Sequence, residues 1–163
     1  MLDKLKYLPE DHDEFPTLLL SNGDLLFNRT NSAELVGKTA VYRGSPAHCS
    51  FASYLIRVQF STDCVSDFYG YYINSAYGRA WIAQVVSQQV GQANVNGTKL
   101  QDLAVPLPSF TEQQEIVTEV ERRLSVIDEL EAIVKANLTR ADRLRQSILG
   151  SAFSGQLIHQ QSN

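Results

Sequence analysis

The spacing of apolar positions changes near residue 109 of the chain. Before that point they come in short runs. Leu25-Leu26-Phe27, Thr39-Ala40-Val41-Tyr42 and Ser53 to Val58 are apolar, β-branched or aromatic and are bounded by Gly, Asn and Ser, which predicts strands. After Thr62, the spacing of Val65, Phe68 and Tyr72 predicts a helix with Thr62 as its N-cap. Residues 76–86 predict a second short helix on which Tyr77, Trp81 and Val85 share a face. Asn96-Gly97 is a turn signal, Thr98 and Gln101 have capping-box spacing, and residues 104–108 (AVPLP) predict an edge strand closed by prolines.

After Pro108 the period becomes helical and stays so. Ile116, Val120, Leu124, Ile127, Leu130, Val134, Leu138, Ala141, Leu144 and Ile148 recur at steps of three and four. Thr111 to Gln114 fit a capping box, early Glu112, Glu115 and Glu119 and late Arg140, Arg143 and Arg145 suit the helix dipole, Glu131 and Lys135 form an i, i+4 pair, and Gly150 supplies a stop. No Gly or Pro interrupts the pattern. A helix of about 38 residues is roughly 57 Å long, whereas a domain of about 110 residues is only about 30 Å across. The chain's own globular part is too small to cover such a stripe, so the pattern calls for a second long helix from another molecule.

Composition narrows the class. The chain has 163 residues, 44% hydrophobic and 20% charged, ordinary for one globular domain with a real core. No apolar run reaches membrane-spanning length, and the acidic N-terminal stretch is no secretory signal. Cys49 and Cys64 read as reduced thiols of a cytoplasmic protein. The net charge of −4 hides an asymmetry: residues 1–19 carry −3, residues 20–100 carry +2 and residues 101–163 carry −3. The mildly basic middle section permits phosphate binding.

Enzymatic chemistry is not apparent. The sequence contains no Walker loop and no GxSxG, and Asn28-Arg29 lacks the Pro-Pro-aromatic sequel of amino-methyltransferases. His12, His48 and His159 are scattered, and Asp63 and Asp67, four apart on a predicted helix, read as a solvated face before a catalytic pair. The polar stretch FNRTNS (27–32) is different. A turn needs one Asn or Gly, not Asn28, Arg29, Thr30, Asn31 and Ser32 together. These side chains, with Lys38 downstream, are those that read base edges and phosphates. Arg79 and the pair Asn94 and Asn96 are further candidates, with turn and cap duty the competing reading.

The segments GDLLFNRTNSAELVGKTAVYRG, SYLIRV, NVNGTKLQDLAVPLPSFTEQQEIV and LEAIVKANLTRADRLRQSILGSAFSGQL together resemble the specificity subunit of type I restriction–modification enzymes over most of residues 18–158. The resemblance implies a non-catalytic, DNA-binding subunit without a cofactor. In that family two recognition domains, each reading half of a bipartite target, are held apart by an antiparallel pair of long helices. Those helices also dock the methyltransferase subunits, which carry the S-adenosylmethionine chemistry, and through them the restriction subunit. Here one recognition domain and one helical region are present, and the Trp-containing opening strand region is missing or reduced to residues 1–17. A half-subunit, or part of a longer reading frame, is therefore expected.

The combined expectation is an α+β protein. Residues 1–108 form a mixed small-sheet recognition domain, shortened at its N-terminus, 109–150 one long helix, and 151–163 a tail. Asn28, Arg29, Thr30, Asn31, Ser32, Lys38, Arg79, Asn94 and Asn96 contact double-stranded DNA. Val120, Leu124, Ile127, Leu130, Val134, Leu138 and Leu144 face a second copy in an antiparallel coiled coil. No metal, cofactor or membrane is expected. The rival readings are a helical protein–protein module without DNA binding, and the C-terminal specificity domain of a fused restriction–methylation enzyme.

Overall fold

The computed structural model describes residues 7–9, 11–12, 15–89 and 92–157. The element order is β1 (Leu25–Asn28), β2 (Thr30–Asn31), β3 (Thr39–Val41), β4 (Leu55–Val58), α1 (Ser66–Asn74), α2 (Ala76–Val85), β5 (Ser87–Gln89), β6 (Gln92–Asn94), α3 (Gly97–Gln101) and α4 (Phe110–Phe153). The α+β expectation holds, with two small antiparallel sheets ordered β3-β1-β4 and β2-β6-β5.

Strand β1 is central for a reason written in its alternation. Leu25 and Phe27 are 0% exposed and point into the core, while Leu26 and Asn28 take the opposite, half-buried face. Leu25 pairs with Val41 and Val58, and Phe27 with Thr39 and Ile56. The core continues through Val36, Phe68, Tyr69, Ile73, Ile82, Ala93, Val95 and Val117. Phe60 stacks on Tyr69 at 4.8 Å and Phe68 meets the same ring edge-on at 5.2 Å. Burial, and then its hydrogen bond to Cys64, push the Tyr69 phenol up to about 12.

Several local expectations are corrected. Thr62 is exposed and caps nothing; α1 starts at Ser66 with no side-chain cap, and the Val65 N–H donates to Gln113 Oε1 at 2.8 Å. The buried face of α1 is Phe68, Tyr69, Gly70 and Ile73, whereas Tyr72 is half-buried and its hydroxyl donates to the Ala104 carbonyl at 3.2 Å. On α2 the buried residues are Gly78 and Ile82, and Tyr77 is 79% exposed. The cause is close approach: a Cβ at position 78 collides with the Ile73 backbone, so α2 turns its glycine toward α1. Asn96, not Thr98, caps α3, its Oδ1 accepting from the Lys99 N–H at 2.9 Å. Residues 104–108 pair with no strand among the described residues, and Pro106 and Pro108 lack the N–H a ladder needs.

The long helix runs 44 residues, about 66 Å. Its capping box is Ser109 with Glu112, two residues earlier than expected: the Ser109 N–H and hydroxyl donate to Glu112 Oε2, and the Glu112 N–H donates to Ser109 Oγ. These bonds hold the Glu112 carboxyl below its usual range, the backbone bond first. Gly150 lies inside the helix, and the stop comes at Gly155 (φ 74°), with Gln156 N–H bonding the Ser151 carbonyl and Gly155 N–H the Ala152 carbonyl. Near the start, hydrogen bonds from Arg122 and then Arg123 hold the Glu119 carboxyl at about 2.

The chain divides into two compact units, Met1–Val117 and Thr118–Asn163. The division falls inside α4 because Gln113 and Val117 are buried in the first unit's core.

Candidate nucleic-acid interface

The stretch FNRTNS is a strand crossing rather than a free loop. Asn28 ends β1, its N–H donating to the Lys38 carbonyl at 3.0 Å and its carbonyl accepting from Gly37 at 2.7 Å. The Arg29 N–H donates to the Tyr54 carbonyl beside β4, and its own carbonyl accepts from Val95 just after β6, both at 2.9 Å. Thr30 and Asn31 then enter the second sheet opposite Asn94 and Ala93. The backbone of four consecutive polar residues, Asn28 to Asn31, is thus fixed by two sheets, which gives their side chains defined directions.

Residues 32–38 form the tight return from β2 to β3. The Ser32 carbonyl accepts from Leu35 and Val36, Val36 plugs the core, and Gly37 takes φ 77°. A side chain at Gly37 collides with Ile82. Arg79 holds this return from α2, donating to the Val36 carbonyl at 2.6 Å and the Glu34 carbonyl at 3.3 Å.

The expected site residues separate by what their side chains already do. Asn94 Nδ2 donates to Thr30 Oγ1 across the strand pair, Asn96 caps α3 and Arg79 clamps the return. Asn31 Oδ1 accepts from the Ser32 N–H at 2.8 Å, which leaves its Nδ2 hydrogens to donate. Arg43 makes two hydrogen bonds to Asp67, at 2.8 and 2.6 Å, so that aspartate is an ion-pair partner. Arg57 donates to the Leu19 and Thr17 carbonyls, and Lys99 to the Val85 carbonyl and the Ser87 hydroxyl. Among the described residues, Arg29 and Lys38 are the two basic groups of the 20–100 stretch with no internal partner. Arg29 Nε and Asn28 Oδ1 are buried without a hydrogen bond among the described residues.

A shallow recess lies beside this crossing, lined by Thr30, Asn31, Ser32 and Tyr54. Sequence reasoning missed Tyr54, counting it as part of strand SYLIRV; β4 begins one residue later and Tyr54 is half-exposed.

The expected seam residues all lie on α4. Val120 is half-buried, and Leu124, Ile127, Leu130, Val134, Leu138 and Leu144 are exposed, as is every residue from 121 to 150. Ile127, Leu130, Val134 and Leu138 line an apolar groove along the helix. Among the described residues no helix is long and apolar enough to cross a membrane, and no cluster of His, Cys, Asp and Glu fits a metal.

Residues 6–140 match the family model of the type I restriction modification DNA specificity domain. The chain belongs to that family. It is similar to the type I restriction enzyme StySPI specificity subunit of Salmonella potsdam, 36% identical over 143 residues, covering 86% of this chain and 31% of that protein. It is similar also to the EcoKI specificity subunit of Escherichia coli K12, 31% identical over 158 residues, covering 96% of this chain and 34% of that protein. A putative MjaX specificity subunit of Methanocaldococcus jannaschii is 24% identical over 155 residues, covering 94% of this chain and 36% of that protein. The chain therefore spans about a third of the length of these specificity-domain relatives.

Proposed function

We propose that the chain is a non-catalytic DNA-recognition component of a cytoplasmic type I restriction–modification assembly. Its first unit reads one half of a bipartite duplex target. Its long helix pairs antiparallel with a second copy and docks methyltransferase subunits, and through them the restriction subunit. The observation that carries the DNA reading is the distribution of charge around β1: four of the six basic groups between residues 20 and 100 bond protein atoms, while Arg29 and Lys38 have no side-chain partner among the described residues. Free cations beside a fixed row of amide and hydroxyl side chains suit phosphate positioning together with base readout.

Self-pairing draws support from charge. The first half of α4, residues 110–131, holds seven acidic and two basic side chains; the second half, 132–153, holds one acidic and four basic. Antiparallel copies set the negative half of each against the positive half of the other, whereas parallel copies set like against like. A rod of about 66 Å is long enough to separate two reading units by more than one DNA turn of about 34 Å. A two-fold dimer of this kind prefers an interrupted palindrome.

The test begins with selection of duplexes from a random-sequence pool. On the selected duplex, Arg29→Ala weakens binding by about 1–3 kcal/mol and relaxes preference at one position. Equal losses on selected and unrelated duplexes would remove Arg29 from base reading. Lys38→Ala, by contrast, lowers affinity on all duplexes alike and reduces the salt slope by about one, checked by titrating binding against salt. An unchanged slope places Lys38 away from the phosphates.

A further inference from the structure

Tyr54 is fixed as firmly as the polar residues it neighbours. It sits at the end of a turn closed by the Leu55 N–H to the Ala52 carbonyl at 2.9 Å, and its own carbonyl accepts from the Arg29 N–H. Tyr54 is 51% exposed and lines the recess with Thr30, Asn31 and Ser32. Three other tyrosines turn their hydroxyls inward, Tyr42 donating to the Pro46 carbonyl, Tyr69 to Cys64 and Tyr72 to the Ala104 carbonyl, while Tyr7 and Tyr77 are exposed but do not line the recess. Tyr54 has no hydroxyl partner among the described residues.

The recess therefore combines an aromatic wall with outward donors, the Asn31 amide N–H₂ and the Ser32 hydroxyl. Thymine presents a matching edge in the major groove, a C5 methyl beside an O4 acceptor. Adenine offers a donor and an acceptor with no methyl, guanine two acceptors, and cytosine a donor. Building on the DNA reading above, we propose that Tyr54 is a specificity-determining residue whose ring packs on a thymine methyl while Asn31 donates to O4 of the same base.

Methyl deletion on the DNA tests this without disturbing the protein fold. The probe is a duplex selected by the unmodified chain from a random pool, with deoxyuridine replacing each thymidine in turn. Removing one buried methyl corresponds to about 0.8 kcal/mol, roughly fourfold in Kd. One position is expected to show that loss with the unmodified chain and with Tyr54→Phe, and to lose the effect with Tyr54→Ala. Tyr54→Ala itself is expected to weaken the selected duplex about tenfold and an unrelated duplex hardly at all. Thymidine-to-deoxyuridine losses that stay the same in Tyr54→Ala overturn the methyl contact. Equal weakening of both duplexes by Tyr54→Ala makes Tyr54 a backbone contact and also overturns it. A chain that enriches no sequence from the pool overturns the DNA reading itself, and the Tyr54 assignment with it. Thermal unfolding of each variant separates a binding loss from a folding loss.

Discussion

Replacing Leu130 and Val134 together by aspartate should abolish the proposed two-fold dimer and leave a monomer. Both side chains lie in the groove of α4 and are 55% and 56% exposed in the single chain. Complete burial of such a side chain contributes about 1.5–3 kcal/mol. Covering the remaining half of four of them, two from each copy, contributes roughly 3–6 kcal/mol, which is about 10²- to 10⁴-fold in the dimer dissociation constant. Carboxylates placed on the seam add an uncompensated desolvation cost in the same direction. The groove residues from Ile127 to Leu138 bracket the helix midpoint between Glu131 and Ala132, so antiparallel pairing about that point covers the seam without overhang. Sedimentation velocity at micromolar concentration reads the change, and helical circular dichroism should fall with it, since a long unpaired helix in water frays. Glu129→Gln, which lies off the groove, should leave the dimer intact. An unmodified chain that sediments as a monomer at tens of micromolar rules out self-pairing, and a double variant that remains dimeric rules out this seam.

What the sequence made legible follows from how local the deciding physics is. The long helix and the three strands of the first sheet were visible because periodicity and β-branched runs are local signals. The second sheet was not: β5 and β6 read SQQ and QAN, polar segments of which β6 pairs with Thr30 and Asn31 from sixty residues away and β5 pairs in turn with β6. The same distant pairing turned FNRTNS from an apparent loop into a crossing between sheets. Two N-caps lay two residues earlier than expected, at Asn96 rather than Thr98 and at Ser109 rather than Thr111, because the choice depends on which backbone turn closes first. Among the candidate site residues, the residue types pointed to polar recognition. Only three-dimensional accounting separated Arg79, Asn94 and Asn96, whose side chains bond protein atoms, from Arg29 and Lys38. Tyr54 carries no sequence signal distinguishing it from a strand residue, since its exposure depends on where β4 begins.

Gln113 should prove the most costly polar side chain of the first unit to lose. It is 1% exposed. Its Oε1 accepts from the Val65 N–H at 2.8 Å, and its Nε2 donates to the Pro108 carbonyl at 3.0 Å and reaches the Asp63 carbonyl at 3.4 Å. One amide thus satisfies the free N-terminal end of α1, which has no side-chain cap of its own, and the carbonyl just before α4. Gln113→Leu keeps the volume and strands both groups away from water. Each buried unsatisfied group costs about 1–3 kcal/mol, so the pair costs about 2–6 kcal/mol. For a unit of this size that lowers Tm by roughly 8–24 °C. Glu115→Leu, on the exposed side of the same turn, should change stability by less than about 0.5 kcal/mol. Differential scanning calorimetry compares the two, and faster hydrogen exchange at the Val65 amide in Gln113→Leu locates the effect. If the two variants melt together, the amide is not what ties the start of α4 into the first unit's core. Val117, also buried there, would then be the anchor left to test.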